Sequence, residues 1–251
     1  MSPYSWSADP DAVLAVPALG IAYWIAIRLY PTRPWRIACF AAALALLLAA
    51  FVSPLERLAL HYLLFAHLLQ NVVVAEWAPA LAVLGLPPRL VDELERVPIV
   101  RALTRPAVAL PLWLATYFSW HVPFAYDAAL RHPNTLLHLE HACYLVAGAA
   151  FWWPVVHGRQ SSGQKAAYLF AAFVLVSPLA LLLALLPTAI YSFYEHAPRL
   201  WGLSPLGDQQ LAGVTMAVEQ GIVFGYAGAL YFGRFLREED ARATYGSRLN
   251  P

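Results

Sequence analysis

The sequence predicts an all-α polytopic membrane protein, a bundle of seven transmembrane helices. Of its 251 residues, 61% are hydrophobic and only 12% are charged, whereas a soluble domain carries about 25% charged residues. The mean hydropathy is +0.57. The apolar runs are continuous and do not alternate with polar residues, which favours helices over a β-barrel. The net charge of +1 and the pI of about 7.9 give no support for nucleic-acid binding.

Seven apolar segments approach the length of roughly 20 residues that a bilayer core requires. In chain order we expect the spans at 12–29, 35–52, 60–84, 106–121, 136–156, 166–190 and 209–233. The sixth is the most apolar, since 166–194 contains no charged residue. The seventh carries several polar residues, so we expect it inside the bundle, with Gly221 and Gly225 allowing another helix to come close. No linker separates these spans, which indicates one domain over 1–251.

The basic residues fix the expected orientation. All but three of the 16 lysines and arginines fall in the odd-numbered loops and the C-terminal tail; the exceptions are Arg57, Arg131 and Arg199. By the positive-inside rule, the N-terminus lies outside and the C-terminus is cytoplasmic. This orientation places seven of the eight histidines on the outer side, with only His157 on the cytoplasmic side.

The candidate site is built from polar residues that share helix faces at membrane depth. Ionisable side chains there are costly and usually face a bundle interior or a polar cavity. The arrangements lie on the third, fifth and seventh spans, the last with an acidic residue at its outer entry: His67 with Gln70 and Asn71, His138 with His141, and Met216 with Glu219 and Asp208. Imidazole, carboxylate and thioether groups together suit copper. The structural alternative is that these groups only hold helices together by hydrogen bonds.

A series of short motifs runs in order through most of the chain. They are Ser53-Pro54-Leu55-Glu56, Ala66-His67-Leu68-Leu69-Gln70, Leu84-Gly85-Leu86-Pro87, Trp120-His121-Val122-Pro123, Tyr126-Asp127, His138-Leu139-Glu140-His141, Phe151-Trp152-Trp153-Pro154 and Ser204-Pro205-Leu206-Gly207-Asp208 with Met216. In this order and spacing, the chain resembles the multi-spanning assembly factors of caa3-type cytochrome c oxidase. No single motif is specific, but the ordered set is.

That resemblance implies a seven-helix protein of the bacterial plasma membrane that helps to mature the oxidase at its copper centres. The expected cofactor is copper, and the expected partners are oxidase subunits or other copper-assembly proteins within the lipid bilayer. The matching positions are His67, His121, His138, His141, Asp208 and Met216. One position departs from the family pattern: Asn71 stands where a second histidine is usual, and an amide oxygen is a poorer ligand for a soft metal. Glu219 adds a carboxylate to the set.

Three classes of function remain open at this point. The first is a non-enzymatic assembly factor that handles copper at the outer face. The second is a membrane electron carrier or oxidoreductase that binds haem b, with histidines such as His67 and His141 as axial ligands. The third is a copper or proton transporter, which the few polar residues below Glu76 and Glu219 make less favoured. No phosphate-binding loop or nucleophile elbow indicates hydrolytic or phosphoryl-transfer chemistry.

Overall fold

The fold is a set of α-helices joined by short connections. The computed structural model describes residues 2–7 and 10–249, and 83% of these are helical, with no strand among them. In chain order the described helices are α1 (Pro10–Leu29), α2 (Pro34–Val52), α3 (Pro54–His61), α4 (Leu64–Val72), α5 (Ala78–Gly85), α6 (Pro88–Arg96), α7 (Pro98–Leu103), α8 (Pro106–Trp120), α9 (Pro123–Arg131), α10 (His138–Val156), α11 (Ser162–Leu185), α12 (Ser192–Glu195) and α13 (Pro205–Leu249). Two π-helical turns, Val73–Trp77 and Pro133–Leu137, continue directly into α5 and α10.

Proline and serine residues set where many of these helices begin. Proline occupies the first turn of α2, α3, α6, α7, α8 and α9, where its fixed φ suits a helix and its missing N–H costs nothing. At the start of α11, the Ser161 side chain accepts from the backbone N–H of Gln164, whose side chain in turn accepts from the backbone N–H of Ser161. This capping box satisfies two donors that helix starts leave unpaired.

Four helices of the described chain are long and apolar enough to cross a membrane. They are Ala12–Leu29, Pro34–Val52, Leu64–Gly85 and Ser162–Leu185, and they correspond to the first, second, third and sixth predicted spans. The other three spans coincide with α8, α10 and part of α13 and stay predictions. Helix α8 has 15 residues and so extends only about 22 Å.

The structure corrects several predicted helix ends. The third span begins at Leu64 and not at residue 60, because His61 ends the separate helix α3. The sixth ends at Leu185, short of the predicted residue 190. Pro187 follows, and the residue before a proline disfavours the helical conformation. Helix α13 continues beyond the predicted end at residue 233, as one helix of 45 residues.

The central helix of the bundle is the continuous segment Leu64–Gly85, formed by α4, a π-helical turn and α5. Its buried fraction is 67%, compared with 17% for the apolar windows of α1 and α2. It packs against α2, α10 and α13, and α11 and α13 form a second extensive helix pair. Polar side chains on this central helix are therefore surrounded by other helices.

The C-terminal end of the central helix is fixed by three side chains. The last carbonyls of a helix have no partner within it. Arg36 donates to two carbonyls at this end, and the Tyr23 hydroxyl and His157 Nε2 donate to one each, all at 2.9 Å. Burial lowers the pKa of His157, and its hydrogen bond to the Val83 carbonyl opposes that shift. These contacts anchor α1, α2 and α10 at one end of the central helix.

Gly148 and Gly213 are two of the glycines on which close helix approach depends. A Cβ on Gly148 of α10 would lie 2.8 Å from Pro79 Cγ and nearer still to the Ala75 carbonyl oxygen, and one on Gly213 of α13 would lie 2.6 Å from the Ala180 oxygen. By contrast, a Cβ on Gly221 or Gly225 would meet no atom within 4 Å. The close approach expected at Gly221 and Gly225 therefore occurs at Gly148 and Gly213.

We predict that Gly148→Ala destabilises the bundle by about 1–3 kcal/mol, the usual cost of overpacking a tight core. The added methyl group would collide with backbone of the central helix, which cannot move aside as a flexible side chain can. Thermal unfolding of the purified protein in detergent measures the loss. Gly225→Ala is the matched control and should keep or slightly raise the unfolding temperature, because alanine is the better helix former. Equal stability of both variants would contradict this packing.

Candidate functional site

Three buried imidazoles lie at the end of the bundle where the central helix begins. His67 is on α4, His121 follows the last residue of α8, and His141 is on α10. Their exposed fractions are 0%, 4% and 8%. The Nε2 atom of each ring is buried and has no hydrogen-bond partner. Buried nitrogen atoms are nearly always hydrogen-bonded, so three open ones in one region indicate a site for a ligand.

Tyrosine hydroxyls orient the His67 ring. Its Nδ1 lies 3.0 Å from the hydroxyl oxygens of both Tyr194 and Tyr126. The Tyr194 hydroxyl donates to the Ala59 carbonyl oxygen at 2.5 Å, so its oxygen can only accept from the ring. We therefore assign the proton of neutral His67 to Nδ1. This tautomer leaves the lone pair on Nε2, the atom without a partner.

The end of α8 orients His121 in the same way. Its Nδ1 lies 2.8 Å from the carbonyl oxygen of Tyr117. A carbonyl only accepts, so Nδ1 carries the proton and Nε2 carries the lone pair. The Tyr191 hydroxyl donates to the His121 carbonyl at 3.0 Å, which ties this helix end to a distant loop. A metal-binding histidine has the same arrangement: its Nδ1–H donates to an oxygen atom, and its Nε2 is available to the metal.

His141 is the imidazole nearest to His67. The ring centroids of the two are 6.4 Å apart, and the rings are nearly perpendicular. The Tyr126 ring lies 5.1 Å from His67 and 5.9 Å from His121, which brings the third imidazole into the same region. His138, the predicted partner of His141, begins α10 and is half-buried.

The amide side chains beside His67 are engaged in contacts between helices. Asn71 Nδ2 donates to Glu140 Oε1 at 3.1 Å, which joins α4 to α10. Gln70 Nε2 donates to the Ala50 carbonyl at 3.0 Å and also to the Glu56 carboxylate. The residue at the position of the family's second histidine thus hydrogen-bonds a carboxylate of another helix.

The remaining predicted ligands lie in other surroundings. The two carboxylate oxygens of Asp208 accept from the backbone N–H groups of Leu64 and Phe65, at 2.7 and 3.1 Å, so Asp208 caps the start of α4. Met216 is 1% exposed and belongs to the apolar core. Glu219 accepts from Trp77 Nε1 at 2.5 Å. Within residues 2–7 and 10–249, no group of three or more His, Cys, Asp or Glu side chains is placed to hold a metal ion.

The sequence did not single out the tyrosines around the imidazoles. Five of them are at most 2% exposed: Tyr117, Tyr126, Tyr144, Tyr191 and Tyr194. One signal was available, because Tyr117 precedes His121 by four residues, one helical turn. The others come from α9, α10 and the segment before and within α12, and only the folded chain brings them together.

Asp127 holds that last segment in place. Its carboxylate accepts from the backbone N–H groups of Ser192 and Phe193, both at 3.1 Å, and from the Ser192 hydroxyl at 2.5 Å. These contacts position the segment that carries Tyr191 and Tyr194 over the imidazoles. The structure therefore gives Asp127 a loop-ordering role.

The fold and the site together define a helical membrane protein with a buried centre of histidine and tyrosine side chains. Residues 21–238 match the family described as cytochrome c oxidase caa3 assembly factor (Caa3_CtaG). The chain belongs to this family, and the resemblance seen in the motifs is confirmed. Its function is accordingly in cytochrome c oxidase assembly. No curated protein and no solved structure matches the chain.

We predict that Asp208→Ala destabilises the protein by about 1 kcal/mol, the usual loss when a helix cap is removed. The N–H groups of Leu64 and Phe65 would lose their acceptors at the start of the central helix. Thermal unfolding in detergent measures the effect. Asp208→Asn keeps one acceptor oxygen and should be intermediate. An Asp208→Ala protein that unfolds at the wild-type temperature would contradict the capping role.

Proposed function

We propose that this oxidase assembly factor carries copper as its cargo, at the outer face of the plasma membrane. The observation that supports this most is the set of open Nε2 atoms on His67, His121 and His141, two of them fixed in the tautomer that can bind a metal. Imidazole binds both oxidation states of copper. The role proposed for the protein is non-enzymatic: it would hold copper until an oxidase subunit or another copper-assembly protein receives it.

The spacing of two imidazoles suits one metal ion. A metal–nitrogen bond of about 2 Å on each side of an ion separates two opposed imidazole centroids by about 6 Å. The centroids of His67 and His141 are 6.4 Å apart. His121 is the candidate third ligand and would have to approach by side-chain rotation. This minimal set leaves out four predicted ligands. His138 is only half-buried, and the other three have other contacts: Met216, Asp208 and Glu219.

The outer location is supported by the basic residues, which the sequence places mainly in the loops expected at the cytoplasmic end of the central helix. Arg36 lies at its C-terminal end, together with most other basic residues of the loops. The positive-inside rule makes that end cytoplasmic. His67 lies 18 residues before Gly85, about 27 Å along a helix, and so falls in the outer half. We propose seven spans, adding α8, α10 and the first part of α13 to the four long apolar helices.

We predict that a cysteine at His196 faces the outer side and one at Arg237 the cytoplasm. Both single substitutions are made in a background with Cys39→Ser and Cys143→Ser, and a membrane-impermeant maleimide is applied to sealed vesicles of known orientation. Right-side-out vesicles should label the His196→Cys protein, whereas Arg237→Cys should react only after the vesicles are opened. The reverse pattern would refute the orientation.

We predict that His67→Ala and His141→Ala each weaken copper binding by more than about tenfold, the smallest effect expected when even an outer partner of a metal ligand is lost. Each removes one of the two closest imidazoles. Copper content of the purified protein and competition with a chromophoric Cu(I) chelator measure the affinity. His132→Ala and His196→Ala, which remove exposed imidazoles, are the matched controls and should bind copper like the wild type.

Two results of that experiment would change the conclusion. If the wild type binds no specific copper, the copper role is wrong, and the family's role in assembly then acts through protein contacts alone. The same two imidazoles could also serve as axial ligands of haem b. A visible spectrum of the same sample separates these cases, because a Soret band lost in both variants would replace copper by haem.

A further inference from the structure

A second polar cluster lies deeper in the bundle, away from the imidazoles. Glu76 belongs to the π-helical turn of the central helix, and Glu219 belongs to α13. Their exposed fractions are 0% and 6%. π-Helical turns inside α-helices are rare and often mark functional sites. Neither the family nor the copper proposal gives these two residues a role.

Each carboxyl group is held by one donor and has one oxygen left over. The Tyr117 hydroxyl donates to Glu76 Oε1 at 2.5 Å, and Trp77 Nε1 donates to Glu219 Oε1 at 2.5 Å. Oε2 of both residues is buried and without a hydrogen-bond partner. Trp77 follows Glu76 in the chain, so its hydrogen bond to Glu219 places the two carboxyl groups in the same part of the bundle.

A buried amide belongs to the same cluster. Gln220 follows Glu219 on α13 and is 0% exposed, and neither its Nε2 nor its Oε1 has a hydrogen-bond partner. The cluster therefore holds two carboxyl oxygens and an amide group that are buried without partners. This is the arrangement of a binding site for a small, positively charged ligand.

No cation of the described chain neutralises the pair. No lysine, arginine or histidine nitrogen forms an ion pair with Glu76 or Glu219 within residues 2–7 and 10–249. Two facing carboxylates in a low-dielectric interior repel each other, and each also loses its hydration. A proton between them relieves both costs, as in other carboxyl pairs that share a site. A hard metal ion would need about six oxygen ligands, more than this cluster offers.

We propose that Glu76 and Glu219 form a proton-binding site within the membrane and share one proton between their Oε2 atoms. The pair then carries a single negative charge, which the hydrogen bonds from Tyr117 and Trp77 stabilise. Tyr117 also links the pair to the imidazole centre, since its hydroxyl contacts Glu76 and its carbonyl accepts from His121. The shared proton would thus form a hydrogen bond between the π-helical turn of the central helix and α13.

Infrared spectroscopy of the metal-free protein in lipid nanodiscs at pH 7 tests this proposal. Metal is removed with a chelator, so the result does not depend on copper binding. The double variant Glu76→Gln/Glu219→Gln should lose the C=O band of one protonated carboxylic acid and the bands of one carboxylate. The lost C=O band should shift in D2O in the wild-type spectrum. Glu140 is another buried carboxyl, so the band has to be assigned by substitution.

The matched control is a carboxyl group at the surface. Glu195→Gln removes an exposed carboxyl and should lose only carboxylate bands. Loss of two acid bands in the double variant would mean two protons and no sharing, and loss of two carboxylates would mean that no proton is held; either overturns the proposal. If the double variant does not fold, the single variants Glu76→Gln and Glu219→Gln replace it, and each should lose the same acid band. Carboxylate bands that shift on adding Na⁺, K⁺ or Ca²⁺ in the absence of any D2O-sensitive acid band would show a metal cation in place of the proton.

Discussion

The structure depends on one constraint, that polar groups on a central, lipid-shielded helix must find partners within the protein. Hydrocarbon supplies no hydrogen bonds, so each unsatisfied group in it is costly. The segment Leu64–Gly85 nevertheless carries His67, Gln70, Asn71 and Glu76, all at most 2% exposed. The helices around it, including the short helix α12, provide partners for these residues. The position of α2, α8, α10 and α13 is in this sense set by the polar face of one helix.

Some buried polar side chains hold the helices and loops together by hydrogen bonds, whereas others keep polar atoms without a partner. Asp208 and Asp127 use both carboxylate oxygens to hold backbone N–H groups, and Asn71 is bound to Glu140. The imidazoles and the carboxyl pair each hold more than one buried atom without a partner, and single atoms of this kind also occur on Gln70, Asn71, Trp113, Glu140 and Trp152. Asn71 in place of the usual histidine therefore does not remove the imidazole centre. It leaves His67 to pair with His141 on another helix in place of a neighbour on its own.

The sequence was sufficient for the helical class and for four long apolar helices, because hydropathy and length determine both. Helix ends were less predictable, as the shift from residue 190 to Leu185 shows, because apolar composition continues past the point where Pro187 stops the helix. His67 and His141 were predicted as candidates because they share helix faces with other polar residues at membrane depth, and His121 because it lies in a motif that matches the family. The hydrogen-bond partners of the buried polar side chains were not predicted, because they are distant in the chain. His67 and Tyr194 are 127 residues apart, and Trp77 and Glu219 are 142 apart. Helical periodicity gives no information over such separations.

Helix α8 connects the two open sites through its last turn. The Tyr117 carbonyl accepts both the backbone N–H and the Nδ1–H of His121, which uses its two lone pairs and fixes the imidazole at the helix end. The hydroxyl of the same tyrosine is bound to Glu76. A change of charge at either site thus acts on a residue that contacts the other, across a buried path. Because interactions between buried charges are little screened, a cation held by the imidazoles would favour the more negative state of the carboxyl pair.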